Sequence, residues 1–250
     1  MAGFKATLIN EIEKLYKKKK VLVAMVISLA FIVIGQVVMI GLRSGFGLRG
    51  VGSMEFPILV LSVVVNTILP LFTALVTIDS FSSEFSQNTM KISITRPVTR
   101  LKFFTAKLGA IVVFIIVNLV FVLIFSVIAG LIFNSNSFSL HGITRIIISY
   151  AVTLLPMIIL ALLIALFCNI IRSGIAVFFL SIIIFIGFKG LGIYFSQYSG
   201  LFFTSMVDWY SLWIMDTVPI AKLIREFMLM VSYGILLFTG GYYLFDKKDF

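Results

Sequence analysis

Several unbroken apolar runs in this chain are longer than the roughly 18 residues that cross a hydrocarbon layer of about 30 Å, and only short polar stretches separate them. Across 250 residues, 61% are hydrophobic and 12% charged, whereas a soluble domain is roughly half apolar and a quarter charged. A soluble core cannot take up that much apolar surface, so the bilayer is the solvent. Runs of this length satisfy their backbone groups in lipid as helices. The expected fold class is therefore all-α integral membrane, a single transmembrane domain over residues 1–250.

Six transmembrane helices are expected, over 21–42, 57–78, 108–133, 146–171, 173–195 and 227–245. The first follows a polar segment without a small-residue cleavage site, which marks a retained helix and not a signal peptide. An even number of spans puts both termini on one side. Taking that side as cytoplasmic gathers Lys5, Lys14, Lys17, Lys18, Lys19, Lys20, Lys91, Arg96, Arg100, Lys102, Lys107, Arg172, Lys247 and Lys248 inside, fourteen of the twenty basic residues. The positive-inside rule then gives N-in and C-in, a multi-pass protein of the plasma membrane. The net charge of +10 is explained by this topology. The basic residues flank apolar spans and do not line one soluble face, so nucleic acid is not an expected partner. The single cysteine, Cys168, lies mid-span and excludes an intrachain disulfide.

Three segments outside the spans carry information. In residues 1–20, Phe4, Leu8, Ile12 and Leu15 recur at helical spacing ahead of Lys17 to Lys20. This suits an interfacial helix with its stripe at the inner headgroups and its lysines on anionic lipid, although a solvated basic face explains the lysines equally well. The cytoplasmic segment 79–107 is the longest on the inner side. Its Phe81 and Phe85 lie one helical turn apart and offer an apolar edge to a partner groove, and Pro97 ends whatever helix precedes it. On the outer side, residues 189–226 hold Tyr194, Tyr198, Trp209, Tyr210 and Trp213, which suits a segment lying on or dipping into the outer leaflet.

Catalytic machinery is not evident. The chain has no G-x-x-x-x-G-K-[ST] phosphate cradle, no H-E-x-x-H and no G-x-S-x-G. Its one histidine, His141, falls in an outer loop. The spans hold few ionisable groups, which argues against proton-coupled transport. They do hold Gln36, Asn66, Thr67, Asn118 and Asn169, with Pro70 and Pro156 as kink sites. Interhelical hydrogen bonding is the expected role of these amides. Gln36 and Asn66 are also the candidates for a translocation path, being deep in the first two spans where an unpaired amide costs most.

The stretch from Ser82 to Leu108 resembles the cytoplasmic loop between the second and third spans of ABC-2 permeases. There a glutamate is followed by Gly-Thr, an apolar run, a Thr-Arg-Pro-x-[Ser/Thr]-Arg element and an Ala-Lys leading into the next helix. Glu84, Thr89, Thr95, Arg96, Pro97, Thr99, Arg100, Ala106 and Lys107 occupy those places, and Asn88 stands where the family usually has glycine, a residue that also visits the left-handed region. The charged segment before the first span and the Tyr-Leu-Phe-Asp-Lys-Lys-Asp ending are similar to the family as well. The resemblance implies an exporter permease that works with a second copy of itself or a related permease, docked on separate ATP-binding cassette subunits. It implies no ATPase site or cofactor on this chain, with ATP and Mg on the partner. In that setting Phe81, Glu84, Phe85, Asn88, Thr89, Arg96, Pro97 and Arg100 couple to the ATPase. The mostly apolar spans suit an amphiphilic or peptide-like substrate. A non-transporting membrane scaffold or sensor and an ATP-independent secondary transporter are the alternatives.

Overall fold

The computed structural model describes residues 2–46, 52–86, 99–134, 139–171, 173–195 and 200–248. No strand forms among them. In chain order the helices are α1 (Ala2–Tyr16), α2 (Lys19–Phe46), α3 (Phe56–Asn66), α4 (Ile68–Ser86), α5 (Arg100–Phe133), α6 (Leu140–Ile170), α7 (Gly174–Tyr194), α8 (Tyr210–Trp213) and α9 (Ile220–Asp246), with a 3-10 turn at Ser205–Asp208 before α8. Three long helices start on side-chain caps. Thr99 accepts the Lys102 N–H, Ser139 the Gly142 N–H and Ser173 the Ala176 N–H, each satisfying one of the unpaired amides of a first turn.

Among the described residues, α2, α5, α6 and α7 are long and apolar enough to cross a membrane, and the bent α3–α4 pair makes a fifth if it is counted as one span. The helix over the sixth expected span is α9. It begins seven residues early and carries Lys222, Arg225 and Glu226 in its first two turns, and it is not among those four or five. The second span is not straight. Its two halves meet at 44° because Pro70 has no N–H for the Asn66 carbonyl and its ring crowds that carbonyl, so the helix breaks at Asn66–Thr67. Pro156 sits inside an uninterrupted α6. The third span extends to Arg100, eight residues before the expected start.

Side-chain bonds define two ends of the bundle. At the basic end Lys20 Nζ meets Asp79 Oδ1 at 2.8 Å, Lys107 Nζ meets Glu11 Oε2 at 3.0 Å, and Arg100 donates to the Asp246 carbonyl. The start of α2, the end of α4, the start of α5 and the end of α9 therefore lie together. At the opposite end Arg145 Nη2, near the start of α6, meets Asp216 Oδ1, just ahead of α9, at 2.6 Å, so α9 runs the length of the bundle. Between the ends, the core is aliphatic and aromatic, with Leu61, Leu69, Ile111, Phe114 and Ile115 fully buried.

Two segments outside the spans pack some of their side chains differently from the sequence pattern. The buried face of α1 is Thr7, Glu11 and Leu15, with Leu8 and Ile12 beside it. This helix packs on α5, and a Cβ added at Gly109 would stand 2.9 Å from Leu8 Cδ1. Its inner face is centred on a carboxylate, so the stripe reads one position out of register. The outer aromatics turn inward. Trp209 and Tyr210 are buried, and Trp209 packs with Ile159, Met206, Leu212 and Met230, because the short helices between Ser205 and Trp213 fold them onto α6 and α9. Among the described ones Tyr194 is exposed, at 81%, and Tyr198 lies outside the described residues.

Candidate coupling junction and cleft

The last turns of α4 and the first turns of α5 flank residues 87–98. Here lies Lys107, whose side chain is wholly buried. Its Nζ bonds Glu11 Oε2 of α1 and donates to the Ser80 carbonyl of α4 at 2.7 Å, and it stands 4.8 Å from the Phe103 ring centroid and 5.9 Å from that of Phe81. Glu11 also receives Lys14 Nζ at 2.7 Å. Burial works against its charged form, but the ammonium groups of Lys107 and Lys14 outweigh burial and hold the carboxyl below its ordinary value of 4.5. A buried ammonium with a carboxylate, a carbonyl and aromatic faces around it is satisfied in the way such burial requires.

Beside this pair, Phe81 of α4, Phe104 of α5 and Phe245 of α9 pack ring to ring. The Phe81 and Phe104 centroids are 5.6 Å apart, and those of Phe104 and Phe245 are 5.4 Å apart. Phe81 is therefore not an edge offered to a partner. It is 0% exposed and serves as a pillar between three helices, because the α4 face carrying it turns toward α5 and α9. Glu84 and Phe85 lie on the last turn of α4, within the helix Ile68–Ser86. Asn88, Thr89, Arg96 and Pro97 lie outside the described residues. Arg100 opens α5 and donates Nη1 to the carbonyls of Asp246 and Lys248, the latter at 3.3 Å. It clamps the α9 C-terminus, where the unpaired carbonyls and the helix dipole favour a cation.

The two path candidates part company. Gln36 is buried against α5, donating Nε2 to the Ala129 carbonyl at 3.0 Å and to Asn134 Oδ1 at 3.2 Å, which is the interhelical role. Asn66 sits at the break of the second span. Its Nδ2 donates to Asp208 Oδ1 at 2.9 Å and to the Ser62 carbonyl, and its Oδ1 accepts from Lys189 Nζ of α7. It also lines a cleft of about 480 Å³ with Pro70, Ala74, Ile164, Phe185 and Lys189. Asn118 and Asn169 are both buried. Asn169 donates to the Gly241 carbonyl at 3.1 Å, whereas neither amide atom of Asn118 has a hydrogen-bond partner among the described residues.

The sequence pattern of ABC-2 family transporter proteins matches residues 7–189. The chain belongs to that family. The match takes in α1 to most of α7, and with them Glu11, Asn66, Lys107 and Lys189. As an ABC-2 family member with several membrane-length helices, it is a multi-pass transporter permease. No curated protein matches it. Among the described residues no group of three or more His, Cys, Asp and Glu side chains is placed to hold a metal ion.

From the sequence, Lys107 reads as a topology charge and as the lysine of the Ala-Lys element, Glu11 has no assigned role, and nothing connects Lys189 to Asn66. Position gave no signal. Lys107 follows Arg100, Lys102 and Thr105 and stands one residue before the expected apolar span, where a topology charge is ordinary.

Proposed function

We propose that this ABC-2 chain is the membrane-spanning subunit of an ATP-driven exporter, working as a dimer on separately encoded ATP-binding subunits and moving an amphiphilic substrate out of the cell. The observation that carries the reading is the junction at the basic end. Residues 87–98, which hold the Thr-Arg-Pro element, are flanked by α4 and α5, and those flanks are tied to α1 through Glu11 and Lys107 and to α9 through Phe81, Phe104, Phe245 and Arg100. A partner that closes on ATP and pushes on this segment would move four helix ends as one body. The push would reach α4 on the basic-end side of the Pro70 break, so that α4 swings against α3 at Asn66–Thr67 and the cleft wall moves with it. In this reading α9 is the sixth span and the basic end is cytoplasmic.

Glu84, Phe85, Asn88, Thr89, Arg96 and Pro97 make the docking surface, with Phe81 and Arg100 supporting it from within. The direct test is to purify the tagged chain from its native membrane in mild detergent and identify what accompanies it. A stoichiometric soluble subunit carrying a phosphate-cradling loop is the expected result. Lipid alone, or a partner without nucleotide-binding machinery, would return the protein to the scaffold or secondary-transport class.

A further inference from the structure

We infer that the cleft between α4, α6 and α7 binds a single-chain amphiphile with an anionic headgroup, the tail lying along α7 and the headgroup resting on Lys189. As a transport site this rests on the exporter reading; as a binding site it stands on the geometry alone.

The cleft is lined by Leu71, Ala74, Leu160, Ile164, Ile182 and Phe185 along most of its length. Ser181, the polar residue deep in it, spends its hydroxyl hydrogen on the Val177 carbonyl at 2.7 Å, and Thr67 does the same on Val63 at 2.6 Å. On α7 the lining residues run from Ser181 to Ile193, roughly 18 Å at 1.5 Å per residue. This is a slot for an extended hydrocarbon chain. A peptide would bring backbone amides that such walls leave unpaired, at a heavy penalty.

Polarity gathers at one end. Asp208 accepts from the Asn66 amide, whose oxygen accepts from Lys189. The amide stands between acid and ammonium, and no described carboxylate lies within ion-pair distance of Lys189 Nζ. An ammonium has three donors, of which Asn66 takes one. The remainder, at the mouth of an apolar slot, select a carboxylate, sulfate or phosphate over a neutral or cationic head. A resident anionic bilayer lipid and a free exported amphiphile share this chemistry.

The chain in phosphatidylcholine nanodiscs is titrated with dodecanesulfonate, dodecanol and dodecyltrimethylammonium, each competing with dansylundecanoic acid. We expect the sulfonate to bind roughly tenfold more tightly than the alcohol and the ammonium to bind least. Lys189→Gln should erase that preference and Lys189→Arg should keep it, while Leu71→Trp, on a partly exposed wall, should weaken all three. Equal affinity for sulfonate and alcohol on the unaltered chain overturns the proposal without any variant having to fold. So does a preference that survives Lys189→Gln. Discs rich in phosphatidylglycerol then separate the two sources. Loss of sulfonate binding assigns the slot to bilayer lipid, and retention assigns it to a free amphiphile, both within the proposal. Failure here leaves the exporter reading standing, since co-purification of the ATP-binding subunit tests that independently.

Discussion

Glu11 and Lys107 are 96 positions apart, and each has its meaning only through the other. Breaking a buried ion pair on one side strands a charge in a low-dielectric site, at about 3–5 kcal/mol. Glu11→Gln and Lys107→Met should therefore each lower the thermal unfolding temperature in detergent sharply. The double variant Glu11→Leu with Lys107→Met should recover part of that loss. A double variant as unstable as the sum of the singles would show that the pair is not one unit. The pH response has a fixed sign. Because the folded-state value of Glu11 lies below 4.5, its contribution is complete above the ordinary carboxylate range and is lost as pH falls through the lowered value. Stability at neutral and mildly acidic pH should be flat as far as Glu11 is concerned, with the difference between the parent chain and Glu11→Gln shrinking only in acid. None of this was legible locally. The stripe of Phe4, Leu8, Ile12 and Leu15 leaves Glu11 out because one helix alone does not reveal its neighbour, and an ion pair closed by tertiary packing leaves no short-range pattern.

At the scale of the helix, what decided legibility was how far lipid alone determines the element. The first, fourth and fifth spans are single apolar runs, and α2, α6 and α7 cover them with ends moved by a few residues. The second reads as one run with Pro70 as its kink site, and the 44° bend falls there, since hydropathy supplies the run and the proline its break. The inward turn of Trp209 was hidden, because tryptophan suits both a headgroup belt and a protein core. Glycine contacts test the packing of these helices. A Cβ at Gly130 would stand 2.6 Å from the Ser53 carbonyl oxygen and 3.6 Å from Phe56 Cβ, and backbone does not give way as a side-chain tip does. Gly130→Ala should cost about 1–3 kcal/mol by thermal unfolding. Gly187, with nothing within 4 Å, should accept alanine with no loss, or with a gain of roughly 0.5–1 kcal/mol from reduced backbone freedom. The clamp from α5 to α9 belongs to the same scale. Arg100→Glu combined with Phe85→Ala should leave membrane insertion intact, release the α9 C-terminus and uncouple ATP hydrolysis by the partner from transport. Normal transport by that double variant would remove both residues from the coupling surface.

The whole molecule turns on how many times it crosses the membrane, because that number decides whether the basic junction faces one compartment. Four helices, or five with the bent pair, qualify on length and composition. The remaining one, α9, is 27 residues long, about 40 Å at 1.5 Å per residue, which exceeds the hydrocarbon thickness. Its first turns follow Asp216, paired to Arg145 at the start of α6, and its last residues are held by Arg100 at the start of α5. Two ends fixed on opposite ends of the bundle require the helix to pass between them. In the proposed six-crossing reading, the start of α2 and the end of α9 share one side with Lys17, Lys18, Lys20, Lys102, Lys247 and Lys248. Cysteine accessibility decides the count. In a Cys168→Ala background, which removes the one native thiol, single cysteines at Lys17, Lys247 and Thr217 are probed on intact cells with a membrane-impermeant maleimide. We expect Thr217→Cys to react directly, and Lys17→Cys and Lys247→Cys to react only after permeabilisation. If Lys17→Cys and Lys247→Cys react from opposite sides, α9 does not cross, the Arg100 clamp cannot form in the membrane, and a push on residues 87–98 has no route to α9.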